Sequence, residues 1–509
     1  MRHLLSALSL LLMGGAAQAF CGFYAGKADA KLFNEASQVV LARDGQRTVL
    51  TMVNDYAGPL SEFALVVPTP QVIRQGQVKV LDKAVVEHLD AYSAPRLAEY
   101  RDNDPCQLNL GWSERYRIPQ PVVTRPPPVQ MLTPAAPARG VTVDAQFTLE
   151  EYDIVSLSAT QSDGLEQWLS ENGYRIPAGA SAALKPYVAQ GMKFFVAKVN
   201  LQEQLKTGYQ SLRPLQFAFE SEKFMLPMRL GMLNAAPDQP QDLIVYVLGR
   251  EGRVESSNYR TVKLPTDVNL PPFVKSRFAD FYKAMFAEQA RKEDHRVVFT
   301  EYAWDMAWCD PCAANPLSRE ELLKLGAHWV SGAALGGGGA QPVVLSRLHL
   351  RYTPQSFPED LMLTQTRDRQ NWQARYVIQQ PYAGTVAECS ERVGREDCER
   401  HCTASLEELD RTAYGLRNGV RERLSVKTER AGLRKECVSD CQRAKLAAIA
   451  VAARYYEKTV PERVAKEKLT LAQLTGWNLA EIDAWPEAAP YRVLSKPPRG
   501  TWWERLWGR

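Results

Sequence analysis

Short, strand-length apolar runs dominate the chain up to about Ile118, and helical spacing dominates it after Cys389. Val39-Val40-Leu41 and Val49-Leu50-Thr51-Met52-Val53 flank Asp44-Gly45, a pattern that predicts a β-hairpin. Phe63-Ala64-Leu65-Val66-Val67 predicts a third strand, stopped by Pro68 and Pro70. Ser93 to Tyr100 is expected to be helical around Leu97. Pro119 to Gly140 is proline-rich, suits no sheet interior and predicts an extended linker or surface loop.

From Val141 the signals alternate. Tyr152 to Ser158, Phe194 to Val199, Leu215 to Phe219, Phe224 to Leu230, Leu243 to Leu248, Arg296 to Tyr302, Leu348 to Tyr352 and Tyr376 to Gln379 read as strands. Gly164 to Asn172 reads as a short helix between Asp163 and Gly173. Phe273, Phe278, Phe281, Met285 and Phe286 put an apolar stripe on a helix over Phe273 to Gln289.

In the helical C-terminal part, Cys398-x3-Cys402 and Cys437-x3-Cys441 each place two thiols on one helix face. The pairs Cys398 with Cys441 and Cys402 with Cys437 share one midpoint, between Gly419 and Val420, beside the turn signal Asn418-Gly419. Two antiparallel helices folded there would be stapled by two disulfides. Leu406, Leu409 and Ala413 are expected to continue the buried stripe on the first helix. Leu424, Ala444, Ala448 and Val451 are expected to continue it on the second.

The fold expected is therefore α+β: a β-rich mixed body with a C-terminal, disulfide-stapled antiparallel helical hairpin. The expected partition is a signal peptide at 1–19, a β-rich N-terminal domain at 20–118 and the linker or loop at 119–140. A mixed α/β body at 141–385, the hairpin at 386–460 and a helical, aromatic tail at 461–509 follow. About 490 residues remain after the leader, a length suited to about three domains.

The leader reading rests on Arg2 and His3, the apolar run Leu4 to Met13 and the exit Ala17-Gln18-Ala19. The run is too short to span a bilayer. Cleavage after Ala19 would leave Phe20-Cys21, where the bulky Phe20 argues against lipidation of Cys21. Disulfides persist only in oxidising compartments, which agrees with export to the periplasm or cell envelope. The nine cysteines are an odd number, so at least one is free or pairs between chains. Cys309 can pair with Cys312 and Cys21 with Cys106, which leaves Cys389 by elimination. An apolar fraction of 45 % is ordinary for a globular chain. A net charge of +4 over this length gives no footprint for nucleic acid.

One motif carries chemistry. Trp308-Cys309-Asp310-Pro311-Cys312 is similar to the thioredoxin motif, with Cys309 as nucleophile and Cys312 as resolving thiol. Against it, Ser318-x-x-Glu321 reads as a capping box, which starts the next helix too late to lower the pKa of Cys309. Asp310 also places a negative charge between the thiols. A structural disulfide pinning a loop is the competing explanation. No His-x-x-x-His or Cys/His zinc spacing occurs, and no metal or cofactor is expected. His88, Asp90 and Ser93 name the residues of a hydrolase triad, but positions i, i+2 and i+5 do not share a helix face. The glycines at 336–339 lack the Lys-Ser/Thr of a phosphate loop. Trp502, Trp503 and Trp507, mixed with Arg505 and Arg509, suit either weak contact with a membrane surface or docking on the protein's own core.

Several longer strings resemble one bacterial family, the domain of unknown function 2330. They are Phe20-Cys21-Gly22-Phe23-Tyr24, Lys27 to Asn34, His88 to Leu97, Gly191 to Asn200, Leu212 to Leu215, Phe224 to Leu233 and Phe299 to Met306. The resemblance spans roughly Phe20 to Val330. It implies an exported protein with no assigned reaction and carries no catalytic residue over. The expectation is a non-catalytic binding or scaffolding role with an unknown protein or envelope partner. The alternative is a thiol–disulfide oxidoreductase using Cys309 and Cys312.

Overall fold

A computed structural model describes residues 23–27, 33–57, 63–108, 145–158, 168, 174–175, 179–200, 202–203, 212–234, 240–308, 310, 315–330, 342–414 and 425–492. Cys21, Cys309, Cys312, Trp502, Trp503, Trp507, the proline-rich run at 119–140 and the hairpin turn at 418–419 lie outside these residues. The chain forms two compact units. The first draws on Met1–Arg96, Pro137–Val268 and Phe286–Tyr376; the second draws on Leu97–Ala136, Asn269–Met285 and Val377–Arg509.

The first unit is built on two large sheets. Along the larger, the strand order is Arg260–Lys263, Val297–Asp305, Val344–Tyr352, Gln241–Gly249, Phe33–Asp44, Arg47–Ala57, Leu215–Glu220 and Val78–Val80, with Trp372–Gln373 also paired to Val297–Asp305. The other sheet runs Gln146–Leu149, Tyr152–Ser158, Lys193–Val199, Phe63–Thr69, Phe23–Lys27 and Tyr174–Arg175. The expected hairpin is present, with Gly45 at φ +58° in the turn, a conformation that glycine adopts without steric cost.

Strand periodicity explains why the runs are continuously apolar. Val39 and Leu41 point into a core shared with Leu65, Val67, Phe195 and Ala197 of the other sheet. The alternate residues Val40 and Ala42 point to the opposite face, under Val85, Val86 and Leu89 of helix α1 (Lys83–Ser93). Both faces of the sheet are covered here, so both parities of this run are apolar. On the smaller sheet, Val66, Phe194 and Val196 pack against Leu184 and Tyr187 of helix α2 (Ala180–Ala189). Phe286, in helix α3 (Phe278–Lys292), meets the ring of Phe299 in the larger sheet edge to face. Helix α4 (Arg319–Lys324) adds Leu322 to the second core.

Two readings are corrected. Ser93 to Tyr100 is not a helix: α1 ends at Ser93, and Arg96–Arg101 is a strand. Pro95 disfavours the helical conformation at Ala94, whose ψ is 150°. Phe224 to Leu230 contains only the two-residue strand Met225–Leu226, because Pro227 cannot donate to a ladder; a 3-10 turn follows at Arg229–Asn234. The N-terminal strands share their sheet with later ones. Phe33–Asp44 pairs in parallel with Gln241–Gly249, and Arg47–Ala57 pairs with Leu215–Glu220.

In the second unit the helices are α5 (Val386–Gly394), α6 (Cys398–Tyr414), α7 (Ser425–Arg454), α8 (Val460–Thr475), α9 (Leu479–Ala484) and α10 (Ala489–Arg492). Helices α7 and α8 are continuous through a π-turn at Tyr455–Thr459. Pro461 lacks the amide hydrogen that would continue the α pattern at this junction, and the wider turn absorbs the defect. Among the described residues no helix is long and apolar enough to cross a membrane.

Candidate functional site

The stapled arm is where sequence and structure agree most closely. Cys398 is bonded to Cys441 and Cys402 to Cys437, with Cα–Cα distances of 5.7 and 5.8 Å. The four cysteines are buried and form their own cluster, with the partly buried Val438 packed against it among the described residues. A two-helix arm has no room for a layered core, and here cystines occupy the seam that leucines fill in a larger bundle. Arg434 on α7 reaches Glu399 on α6 at 3.1 Å across the seam.

A third disulfide corrects the cysteine assignment. Cys106 is bonded to Cys389, across 283 residues, so Cys389 is not left over and Cys106 is not paired with Cys21. The bond lies in a small core with Val393, Ala448 and Ala452. Helix α7 therefore has one buried stripe, Cys437, Cys441, Ala448 and Ala452, which serves α6 through sulfur and α5 through small side chains. Val451 was expected on that stripe and is instead 55 % exposed, because helical drift brings Ala452 under the partner; Leu446 is 70 % exposed.

The other dense group of polar side chains is a chain of charges in the first unit, buried at Glu301, Arg347 and His349 and partly exposed at its ends. Arg347, His349 and Arg351 alternate along Val344–Tyr352, while Leu348 and Leu350 face the inter-sheet core. Directly opposite on Gln241–Gly249 stand Tyr246 and Asp242, paired with Arg347 and Arg351. On the other side the ladder skips a residue between Thr300 and Tyr302. That bulge aims Glu301 between Arg347 and His349. Glu301 accepts from Arg347 Nε at 2.5 Å and lies 2.6 Å from His349 Nδ1. Arg347 also donates to the Asp90 carboxylate at 2.7 Å, and the Tyr246 hydroxyl donates to the same carboxylate at 2.5 Å. Arg351 holds Asp242 through two bonds of 2.7 and 2.6 Å.

His349 lies flat on Phe286, ring centroids 3.6 Å apart. Its Nε2 sits 3.8 Å from Asp242, an electrostatic contact rather than a hydrogen bond. Burial lowers the imidazole's pKa, but Glu301 and Asp242 on its two sides outweigh burial and hold it above the ordinary histidine value. Arg351 and His349 in turn hold Asp242 well below the usual carboxylate range against the cost of burial. With His349 charged, the series Asp90, Arg347, Glu301, His349, Asp242, Arg351 alternates in sign and sums to zero. The arrangement clamps α1 to the sheet through Asp90. Sequence reading missed it. The available signal was the period-2 run Arg347, His349, Arg351 inside an otherwise apolar strand.

The expected site residues are otherwise dispersed. His88 turns to Glu321 at 2.7 Å, and that bond raises its pKa. Ser93 Oγ donates to the Leu89 carbonyl at 2.8 Å. With Asp90 on Arg347, no triad forms. In the Trp308–Cys312 motif, Asp310 is buried and accepts from the Tyr302 hydroxyl at 3.0 Å, and Trp308 is 65 % exposed. Helix α4 begins at Arg319 with Ser318 as its cap and the expected capping box to Glu321, while Cys309 and Cys312 lie outside the described residues. Among the described residues no group of three or more His, Cys, Asp or Glu side chains could hold a metal ion.

Comparison with known proteins adds a family and little else. Residues 15–364 match the family model described as an uncharacterized protein conserved in bacteria (DUF2330). No curated protein matches the chain. Among solved structures, the caspase-8/P35 complex aligns at 9 % identity and TM-score 0.23, covering 42 % of this chain and 62 % of that one, less than two thirds of its length. Baculovirus P35 aligns at 8 % identity and TM-score 0.26, covering 66 % and 98 %. Likeness at those scores carries no argument about fold or activity.

Proposed function

The chain belongs to the DUF2330 family of uncharacterized bacterial proteins, and from that footing we propose that it is an exported, non-catalytic binding or scaffolding protein of the periplasm or cell envelope, its partner another envelope protein. The observation that carries the reading is the doubly stapled arm, α6 and α7. Its bonds persist only in an oxidising compartment, and it displays Leu446 and Val451 to solvent. Cell fractionation with thiol alkylation tests it. Native protein in the envelope fraction, with Cys106, Cys389 and the four arm cysteines refractory to alkylation, is expected. A cytosolic protein with all thiols alkylatable refutes it.

The oxidoreductase reading keeps one point in its favour: the cysteine motif directly follows the sheet strand Val297–Asp305. Insulin reduction by the purified protein, with a Cys309→Ser control, decides between the two. Turnover that vanishes in the control establishes the enzyme, and no turnover in either form supports the binding role.

A further inference from the structure

In the second unit two carboxylates compete for one guanidinium. Asp102, just past the strand Arg96–Arg101, accepts from Arg463 Nη1 at 3.0 Å, Arg463 Nη2 at 2.7 Å and Gln379 Nε2 at 2.8 Å, and from the Tyr455 hydroxyl. Tyr455 is the first residue of the π-turn, and its oxygen in turn accepts from the Tyr382 amide at 2.8 Å. Glu467 lies one turn beyond Arg463 on α8. It is 3 % exposed, and neither of its oxygens has a hydrogen-bond partner among the described residues. The nearest cation is Arg463 Nε, 3.8 Å away and itself without a partner. The groups facing Glu467 are Arg463 on its own helix, Asp102 from the preceding loop and the Tyr491 hydroxyl from α10. The adjacent Lys468 is committed to Asp483 at 2.5 Å.

A buried carboxylate with no donor is costly, and a single guanidinium cannot neutralise two. The protonated acid removes the excess charge. We propose that Glu467 carries a proton in the native fold, and that on losing it the carboxylate closes onto Arg463 Nε, draws the guanidinium away from Asp102 and loosens the π-turn anchored by Tyr455. This is a pH-responsive latch between α7 and α8, independent of the binding role proposed above. Burial, only partly offset by Arg463, raises the Glu467 acid to about 7, which puts the transition near neutrality.

The sign follows from linkage. Between the ordinary carboxyl value, about 4.5, and about 7 the folded protein holds a proton that the unfolded chain has released, so stability falls as pH rises through that window. Thermal midpoints of the full chain and of Glu467→Gln, measured from about pH 5 to about pH 9, test it. The neutral amide introduced by that substitution mimics the protonated acid, so the variant is expected to lose the fall across this window and to melt higher than the parent at the alkaline end. Protection factors of the amides across 455–463, with the base-catalysed intrinsic rate divided out, should fall with pH in the parent and stay flat in the variant. If the variant does not fold, an infrared band of a protonated carboxyl in the parent at about pH 6, bleaching by about pH 8, supports the proposal. Identical pH profiles for parent and variant, or no such band, overturn it.

Discussion

Replacing Cys402 and Cys437 by serine leaves the Cys398–Cys441 bond to hold the α6–α7 arm alone, and the cost depends on that nesting. In the chain-entropy picture either bond by itself, across sequence separations of 43 and 35, is worth about 4 kcal/mol. Once one bond exists, the other closes only the small ring made of the two Cys-x3-Cys spacings. That second closure is worth about 2.5 kcal/mol. Removing either pair alone is therefore expected to cost about 2.5 kcal/mol, and removing both about 6 kcal/mol, more than the sum of the two single losses. The assay is native-state hydrogen exchange of the α7 amides, which reads the stability of the arm without requiring the whole chain to unfold in two states. A quadruple variant that loses no more than the two double variants added together refutes the reasoning. It would mean that the arm keeps its register through contacts other than sulfur.

Three further outcomes follow from the first unit. Glu301→Gln leaves His349 and Arg347 facing a neutral amide in a buried site and should destabilise by about 3–5 kcal/mol in denaturant titration, whereas a loss under about 1 kcal/mol would show that the charge chain is not coupled. Because His349 is held above its ordinary value, its contribution is fully present below about pH 6.5 and is lost as pH rises through the folded value. His349→Gln should therefore remove that alkaline loss, as read from urea midpoints against pH. Gly326 has φ +99°, and a Cβ there would lie 2.6 Å from the Val49 side chain. Gly326→Ala should cost more than about 1 kcal/mol by thermal unfolding, and an unchanged midpoint would contradict the packing at that turn.

Legibility in the sequence followed the range of the interactions involved. The cystine hairpin was readable because two local spacings imply one symmetric geometry. Most strands were readable because a sheet covered on both faces needs uninterrupted apolar runs. The pairing of Phe33–Asp44 with Gln241–Gly249 was not, since nothing in either run names a partner some two hundred residues away. The Glu301–His349 cluster stayed hidden for the same reason: it needs a bulge, two antiparallel ladders and α1 to meet. Cys106–Cys389 shows the limit most plainly. Elimination among cysteines selects by availability, whereas the fold selects by position.

That last bond also constrains how the protein is made. A ribosome finishes residue 106 long before residue 389, and Cys309 and Cys312 emerge in between. An oxidant that joins sulfurs in order of arrival would trap Cys106 with the wrong mate. Correct maturation is therefore expected to depend on reshuffling by an isomerase, or on keeping early thiols reduced until synthesis ends. Yield in a host lacking isomerase activity should fall steeply, and the α6–α7 arm shares the dependence, because Cys398 must pass over Cys402 and Cys437 to reach Cys441.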